Sequence, residues 1–184
     1  MSPRAFRGVA LRPIHRDDWE ELRQVEFALF GSKWFSRGAS PSSDLYPSML
    51  GSETSVALLA FADDGSRLCG WFQIYRYEPD NQVAYAAIAR VSNSLVEFGV
   101  GAMLFIEHVF ASFSLQKIYF EVPAYNEVAL AGMGRFGLVN EGRLLDRVYH
   151  DGEHHDVSIW ALNRHAWSGL NVRNKMVGSF VETV

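Results

Sequence analysis

A chain of 184 residues can bury a substantial core, and its 48% hydrophobic and 14% aromatic content points to a packed globule rather than a disordered segment. The formal charge of -4 lacks the basic excess of a nucleic-acid-binding surface, so no nucleic-acid partner is expected. Cys69 is the one cysteine, which rules out an intrachain disulfide framework, and Met1 to Arg7 lack the apolar core of a signal peptide. No uninterrupted apolar run approaches the roughly 18 residues of a membrane-spanning helix. A cytoplasmic protein without a membrane partner is the expectation.

In chain order, Val9 to Pro13 reads as a first strand stopped by its proline. Asp17 stands three residues before Glu20 as an acidic capping box, and Trp19, Leu22, Val25 and Leu29 follow at helical spacing. A polar, turn-rich stretch from Lys33 to Ser43 precedes a short helix expected from Ser43 or Asp44 to Leu50. Ser55 to Ala62, Cys69 to Tyr77 and Gln82 to Val91 read as a meander of three strands, turned at Asp63-Asp64-Gly65-Ser66 and at Glu78-Pro79-Asp80-Asn81. Gly99-Val100-Gly101-Ala102 is expected to open a helix reaching about Ser114, with Ala102, Phe105, Ile106, Val109 and Phe113 as its buried stripe. Lys117 to Val122 is a strand, Asn126 caps a helix to about Phe136 closed by Gly137, and Val139–Tyr149 with His154–Leu162 form a hairpin turned at Asp151-Gly152. The resulting order, β-α-α-β-β-β-α-β-α-β-β, implies a mixed α/β fold with its parallel strand pair in the second half. One domain is expected over residues 1–167, with residues 168–184 as a loose tail or an oligomer contact, as in a homodimer.

The stretch that carries chemistry is the strand followed by Gly99-Val100-Gly101-Ala102. A helix N-terminus presents unpaired N–H groups and partial positive charge, and alternate glycines let a pyrophosphate approach the backbone. The same stretch read structurally is a tight turn into a packed helix, and Asn126 read structurally is a plain cap.

The element order, Gly99-Val100-Gly101, Lys117 to Val122, and Asn126 eleven residues before Gly137 resemble the GNAT (GCN5-related N-acetyltransferase) superfamily from Val9 to Trp167. Glu141-Gly142-Arg143-Leu144, Tyr149 to Gly152 and Asp156 resemble its Rim-type branch, and Trp34 to Ser42 resembles actinobacterial members. The resemblance implies an acyl-CoA, acetyl-CoA by default, lying between strands Gln82–Val91 and Lys117–Val122. Its pantetheine would pair with the backbone of Ile88, Ala89, Arg90 and Val91, and its pyrophosphate would rest on the amides of Phe98, Gly99, Val100, Gly101, Ala102 and Met103, with Asn126 as a further contact. A primary amine, on a small molecule or a peptide, would attack the thioester directly through a tetrahedral intermediate stabilised by backbone N–H groups.

Three positions depart from the family pattern. The usual Gln or Arg of the phosphate signature is Val96, Phe98 precedes Gly99 with Glu97 beside it, and the position of the usual thiolate-protonating Tyr is Met133. Candidate bases for the ammonium proton are Glu121, His150 and Asp156. Glu121 shares a strand face with Tyr119; Asp156 alternatively pairs structurally with Arg143 or Arg147. Trp34, Phe35 and Tyr46 are candidates to line an acceptor pocket, with Arg37 for a carboxylate. His154 and His155 are adjacent, so on a strand they face opposite ways, and no metal site is expected from them and His150. Two alternatives stand beside the acyltransferase reading: a binding module without efficient turnover, and an acyltransferase whose donor is a thioester on an acyl carrier protein.

Overall fold

In a computed structural model, the structure describes residues 5–30, 42–50, 54–62, 65–130 and 133–175. The chain divides into two compact units, Met1–Tyr75 with Ile88–Phe105, and Arg76–Ala87 with Ile106–Val184.

The first unit is antiparallel. Strands β1 (Ala5–Phe6), β2 (Val9–Pro13), β3 (Thr54–Ala62) and the first part of β4 (Arg67–Glu78) lie in that order. A 3-10 turn, Arg16–Asp18, leads into helix α1 (Trp19–Phe30). The capping box expected from Asp17 to Glu20 falls two residues earlier, with His15 at the N-cap and Asp18 as the acid that reaches back to it. Asp18, not Asp17, accepts the His15 amide at 2.6 Å and both guanidinium nitrogens of Arg12 at 2.6 and 2.7 Å. The Arg12 bonds hold the Asp18 carboxyl below its usual range against the opposing effect of burial. Strand alternation sends Leu59 and Phe61 to the face covered by α1, where they join Leu22, Trp71 and Ala89 in one core. The helix expected before Leu50 is instead a 3-10 helix, Tyr46–Leu50, whose Pro47 lacks an N–H to continue a regular ladder.

Helix α2 (Leu95–Ser112) begins in the first unit, where Phe98 and Phe105 stack on Phe72 at 5.8 and 5.3 Å. By length and composition alone α2 could cross a bilayer, although Glu97, Glu107 and His108 interrupt its apolar run, as the sequence expectation had it. In the structure Leu104, Phe105 and Val109 have 0% exposure, and its Glu107 accepts the Trp167 indole N–H at 2.9 Å and Arg173 Nε at 2.8 Å.

The second unit carries the start of β5 (Val83–Arg90), then β6 (Lys117–Pro123), β8 (Glu153–Asn163) and β7 (Leu138–His150), in that order. Its mixed character rests on one short parallel ladder, Val83↔Lys117, Ala84↔Ile118 and Tyr85↔Tyr119, and β6–β8 and β8–β7 are antiparallel. The expected mixed α/β element order is thus present. Asp151 and Gly152, at φ 50° and 90°, make the two-residue hairpin turn, whose positive dihedrals match the twist of the flanking strands. The helix expected from Asn126 to Phe136 is two 3-10 pieces, Ala124–Leu130 and Met133–Phe136, so Asn126 sits exposed inside a turn of helix rather than capping one. Helix α3 (Arg164–Ser168) follows β8, and the Arg164 side chain donates to the carbonyls of Phe110, Phe113 and Leu115 at 2.7, 2.8 and 2.5 Å, closing the end of α2.

Gly101 marks where α2 meets the first unit's sheet: a Cβ there would lie 2.7 Å from Ala60 Cβ and 3.3 Å from the Phe72 ring. Gly101→Val should therefore lower unfolding free energy by about 1–3 kcal/mol, as overpacking does. Urea unfolding followed by circular dichroism checks this, and an unchanged midpoint would show that α2 does not approach the sheet so closely.

Candidate functional site

Of the donor-binding residues expected from the sequence, those from Ile88 to Val91 and from Phe98 to Met103 lie in the first unit, and Asn126 lies in the second. Ile88 and Val91 are half-buried, Ala89 is in the core and Arg90 is exposed. All four lie beyond the three-pair parallel ladder, and the Val91 amide donates to the Cys69 carbonyl at 3.0 Å. Their expected role toward a pantetheine arm rests on that position past the ladder.

The helix start departs from expectation. Helix α2 opens at Leu95, a full turn before Gly99. Ser94 caps it: its hydroxyl accepts the Glu97 amide at 3.3 Å, and its carbonyl accepts the Phe98 amide at 3.1 Å. The amides of Gly99, Val100, Gly101, Ala102 and Met103 are therefore inside the helical ladder and are not the unpaired donors a pyrophosphate needs. What the end of the helix presents instead is Leu95 and Val96, 68% and 70% exposed, followed by Glu97. Glu97 takes a bidentate ion pair from Arg67 at 2.6 and 2.7 Å, which lowers its carboxyl below the usual range. The Phe98 side chain stacks on Phe72, with the ring centroids 5.8 Å apart. The fit of a pyrophosphate to this end is therefore partial, confined to the amides of Leu95 and Val96 with the macrodipole behind them.

The candidate bases lie in the second unit. Glu121, on β6, is partly exposed and stands 3.8 Å from Arg76. Arg76 itself lies 5.5 Å over the Tyr85 ring and holds a left-handed φ of 48° in mid-strand, a conformation that costs energy for a non-glycine residue. Glu121 alternates in phase with Tyr119, whose ring lies 5.4 Å from that of Tyr85. Tyr85 is kept neutral chiefly by burial and further by Glu121, both of which raise its pKa. His150 stacks on Tyr125 at 4.2 Å and lies 3.3 Å from Asp151, while Tyr125 also meets His155 edge-on at 5.2 Å. Asp156 is committed to structure. It accepts Arg143 Nε at 2.7 Å and the Asp146 amide at 2.9 Å, pinning the bulge where the β7–β8 register shifts between Leu144 and Val148. The hydrogen bonds from the Asp146 amide and Arg143 lower its pKa, which weakens it as a base.

Among the expected acceptor-pocket residues, Trp34, Phe35 and Arg37 lie outside the described residues. Tyr46 corrects the expectation: it is 1% exposed, packs in the first unit's core, and donates its hydroxyl to Glu26 at 2.5 Å. Glu26, itself 1% exposed on α1, is what draws it inward, and burial with Glu26 raises the phenol pKa far above its usual value. A charged residue inside an apolar stripe was the one sequence signal of that contact. Among the described residues no group of three His, Cys, Asp or Glu side chains is placed to hold a metal ion.

The sequence reading missed an open cavity of about 610 Å³ in the second unit. Tyr85, Tyr119, Leu144 and Ile159 give it apolar walls, and Glu78 and Glu141 contribute carboxylates. The cross-strand pair Tyr85↔Tyr119 leaves a trace in the sequence, as aromatic residues on two neighbouring strands, but the parallel register that brings them opposite does not.

Comparison with known proteins supplies the class. The chain superposes on a spermidine N-acetyltransferase chimera of Vibrio cholerae SpeG and hSSAT with a TM-score of 0.74, at 16% identity, over 89% of this chain and 99% of that one. It superposes on the ribosomal L7/L12 α-N-protein acetyltransferase RimL, in complex with coenzyme A, with a TM-score of 0.71, at 16% identity, over 89% and 98%. The spermidine N-acetyltransferase of Vibrio cholerae with coenzyme A and spermine gives 0.72, at 17% identity, over 88% and 99%. The fold is that of the GNAT acetyltransferases. In sequence, the chain is 27% identical over 108 residues to "Putative ribosomal N-acetyltransferase YdaF" of Bacillus subtilis (strain 168), a match spanning 58% of each protein, so a little over half of that relative's length is matched. The likeness to a Rim-type relative read from the hairpin thus has a counterpart in the Bacillus subtilis protein and in RimL. No family model matches the chain.

The helix-start geometry makes a direct forecast. A Cβ at Gly99 would meet nothing within 4 Å, so Gly99→Ala should stabilise the fold by roughly 0.5–1 kcal/mol through helix propensity. Acetyl-CoA affinity should stay unchanged, because the Gly99 amide is already spent in the helix. Thermal unfolding and calorimetry on the same variant check both, and a ten-fold loss of affinity would mean that a ligand does approach this backbone.

Proposed function

We propose that this chain is an N-acyltransferase that moves an acyl group, acetyl by default, from the thioester of acyl-coenzyme A to a primary amine. What supports the reading is a partly exposed carboxylate, Glu121, set beside an open aromatic cavity on the fold shared with acetyltransferases. Relatives whose printed names include a spermine complex and a ribosomal protein acetyltransferase agree with an amine as acceptor.

In this reading Glu121 removes the proton from the bound ammonium, directly or through one water. The freed nitrogen attacks the thioester carbon, the tetrahedral intermediate collapses, the C–S bond breaks with the electron pair leaving on sulfur, and the second proton of the attacking nitrogen passes through solvent to the thiolate. A thiolate is a fair leaving group, so Met133 at the position of the usual acid is tolerable. Arg76 stands 3.8 Å from Glu121, and His150 is the second candidate base. The protein would be cytoplasmic, and the tail after Ser168 would serve a homodimer contact.

A second reading, a donor carried as a thioester on an acyl carrier protein, is favoured by one observation: the start of α2 shows exposed Leu95 and Val96 where phosphate-binding amides were expected. The two readings differ in how much the nucleotide end of coenzyme A contributes.

Calorimetric titration of the full chain with acetyl-CoA and with S-acetylpantetheine separates them. The expected result is binding of both, with acetyl-CoA ahead by less than ten-fold. An advantage above a hundred-fold would overturn the partial-fit account of the helix start, and no binding of either would make the chain a binding module without turnover. Glu121→Gln should lower kcat for amine acylation by about 10²-fold, the lower end for loss of a general base, while thioester affinity is kept. Retention of full kcat would move the base to His150.

A further inference from the structure

We propose that the cavity on the second unit is the acceptor site and that it takes the acceptor as an organic cation: a primary amine carried on an apolar body. This rests on the acyltransferase reading for what happens next to the amine, but the recognition chemistry is argued from the cavity itself.

The cavity belongs to a bare sheet face. Tyr85 and Tyr119 are the last pair of the parallel ladder, and their rings tilt by 33° at 5.4 Å to form its floor. Ile159, paired across β6–β8 with Glu121, lies on the same face, and Leu144 from β7 adds an apolar wall that is 40% exposed. A volume of about 610 Å³ is within the range of small-molecule sites. Apolar and aromatic walls of this kind recognise the body of a ligand rather than a sugar or a phosphate.

The charges decide the sign of the head group. Among the described residues, the cations at this face stand beside carboxylates: Arg76 lies 3.8 Å from Glu121, Lys117 2.8 Å from Glu141, and Arg143 2.7 Å from Asp156. These pairs balance one another, whereas the lining carboxylate Glu78 accepts a 2.8 Å bond from the neutral Asn81 amide, a contact that brings no opposite charge. Glu78 tips the cavity toward negative, so an ammonium is favoured there over an anion. Arg76 and Lys117 show that these rings accept cations, because their charged ends lie 5.5 and 5.2 Å over the Tyr85 and Tyr119 rings.

The arrangement also points the amine at the base. Glu121 is two residues past Tyr119 on the same strand face, a separation of roughly 6.6 Å along β6. An acceptor whose body lies on the tyrosine pair therefore reaches Glu121 with a one- or two-carbon link to its nitrogen. Arylalkyl and comparable apolar-bodied amines fit this spacing, whereas amino sugars and free amino acids would bury unpaired polar groups against it.

The experiment is calorimetric titration of the full chain with 2-phenylethylamine and, as a control of identical body and opposite charge, phenylacetate. The amine should bind at least ten-fold more tightly than the acid. Tyr119→Leu and Glu78→Gln should each weaken amine binding by five-fold or more, Tyr119→Phe should restore it, and acetyl-CoA affinity should be the same in all variants. Equal or tighter binding of phenylacetate, absence of amine binding at millimolar concentration, or parental amine affinity in Tyr119→Leu would each overturn the assignment. The acyltransferase reading fails separately: amine binding in a chain that neither binds nor turns over a thioester would leave the cavity assigned and remove the reaction.

Discussion

A backbone N–H serves one strong acceptor at a time, and along α2 that constraint decides what the chain can hold. The five amides from Gly99 to Met103 close the helical ladder, so they cannot also cradle a phosphate. Ser94 takes up the Glu97 amide and the first ladder bond, and Arg67 draws Glu97 to the same end. Under the proposed acyltransfer, donor recognition would come mostly from the pantetheine arm and the thioester. This is why the nucleotide part of coenzyme A is expected to add little, and why a carrier-borne thioester stays close in energy to the free one.

The second constraint is the brevity of the parallel ladder. Parallel pairing between β5 and β6 covers three residue pairs, while β6 stays paired to β8 from Lys117 to Pro123. One edge of β6 is thus held along its length and the other is held only at its start. Tyr85 and Tyr119 end up side by side at the last pair, and Glu121 follows on the same face. Aromatic floor and carboxylate are therefore set by strand register, which makes the cavity rigid where its chemistry lies. Asp156 contributes from behind, fixing the β7 bulge beside Leu144 through Arg143 and the Asp146 amide.

Strands and the Asp151-Gly152 turn were legible because alternation and turn chemistry are local, and so was the core stripe of α1 around Leu22 and Val25. Tyr46 was misread because aromatic residues in a turn-rich stretch suit a pocket as well as a core, and the deciding partner, Glu26, lies twenty residues away in sequence. Asn126 was misread because a capping residue is recognisable by type alone, whereas the 3-10 geometry of Ala124–Leu130 depends on Glu127 reaching Ser158 on β8. The candidate base Glu121 was legible from in-phase alternation with Tyr119, but its pairing with Arg76 and the cavity beside it required the register of separate strands. No sequence pattern carries that information at short range.

The paired glycines show how one motif can hold two unrelated meanings. Gly101 is demanded by packing, since any Cβ would press on Ala60, while Gly99 faces open space and is demanded by nothing in the resting structure. A ligand that needed more amides at this end would have to unwind the first turn of α2. The cost is modest at Ser94 and at the Arg67–Glu97 pair, since a cap is worth about 1 kcal/mol and an exposed ion pair less than that. It rises sharply at Phe98, because its stack on Phe72 belongs to the buried contact that Phe105 and Gly101 also share. Unwinding is therefore limited to the residues before Phe98, and because each helical amide bonds the carbonyl four residues earlier, it is the amides of Gly99 to Gly101 that such unwinding would free.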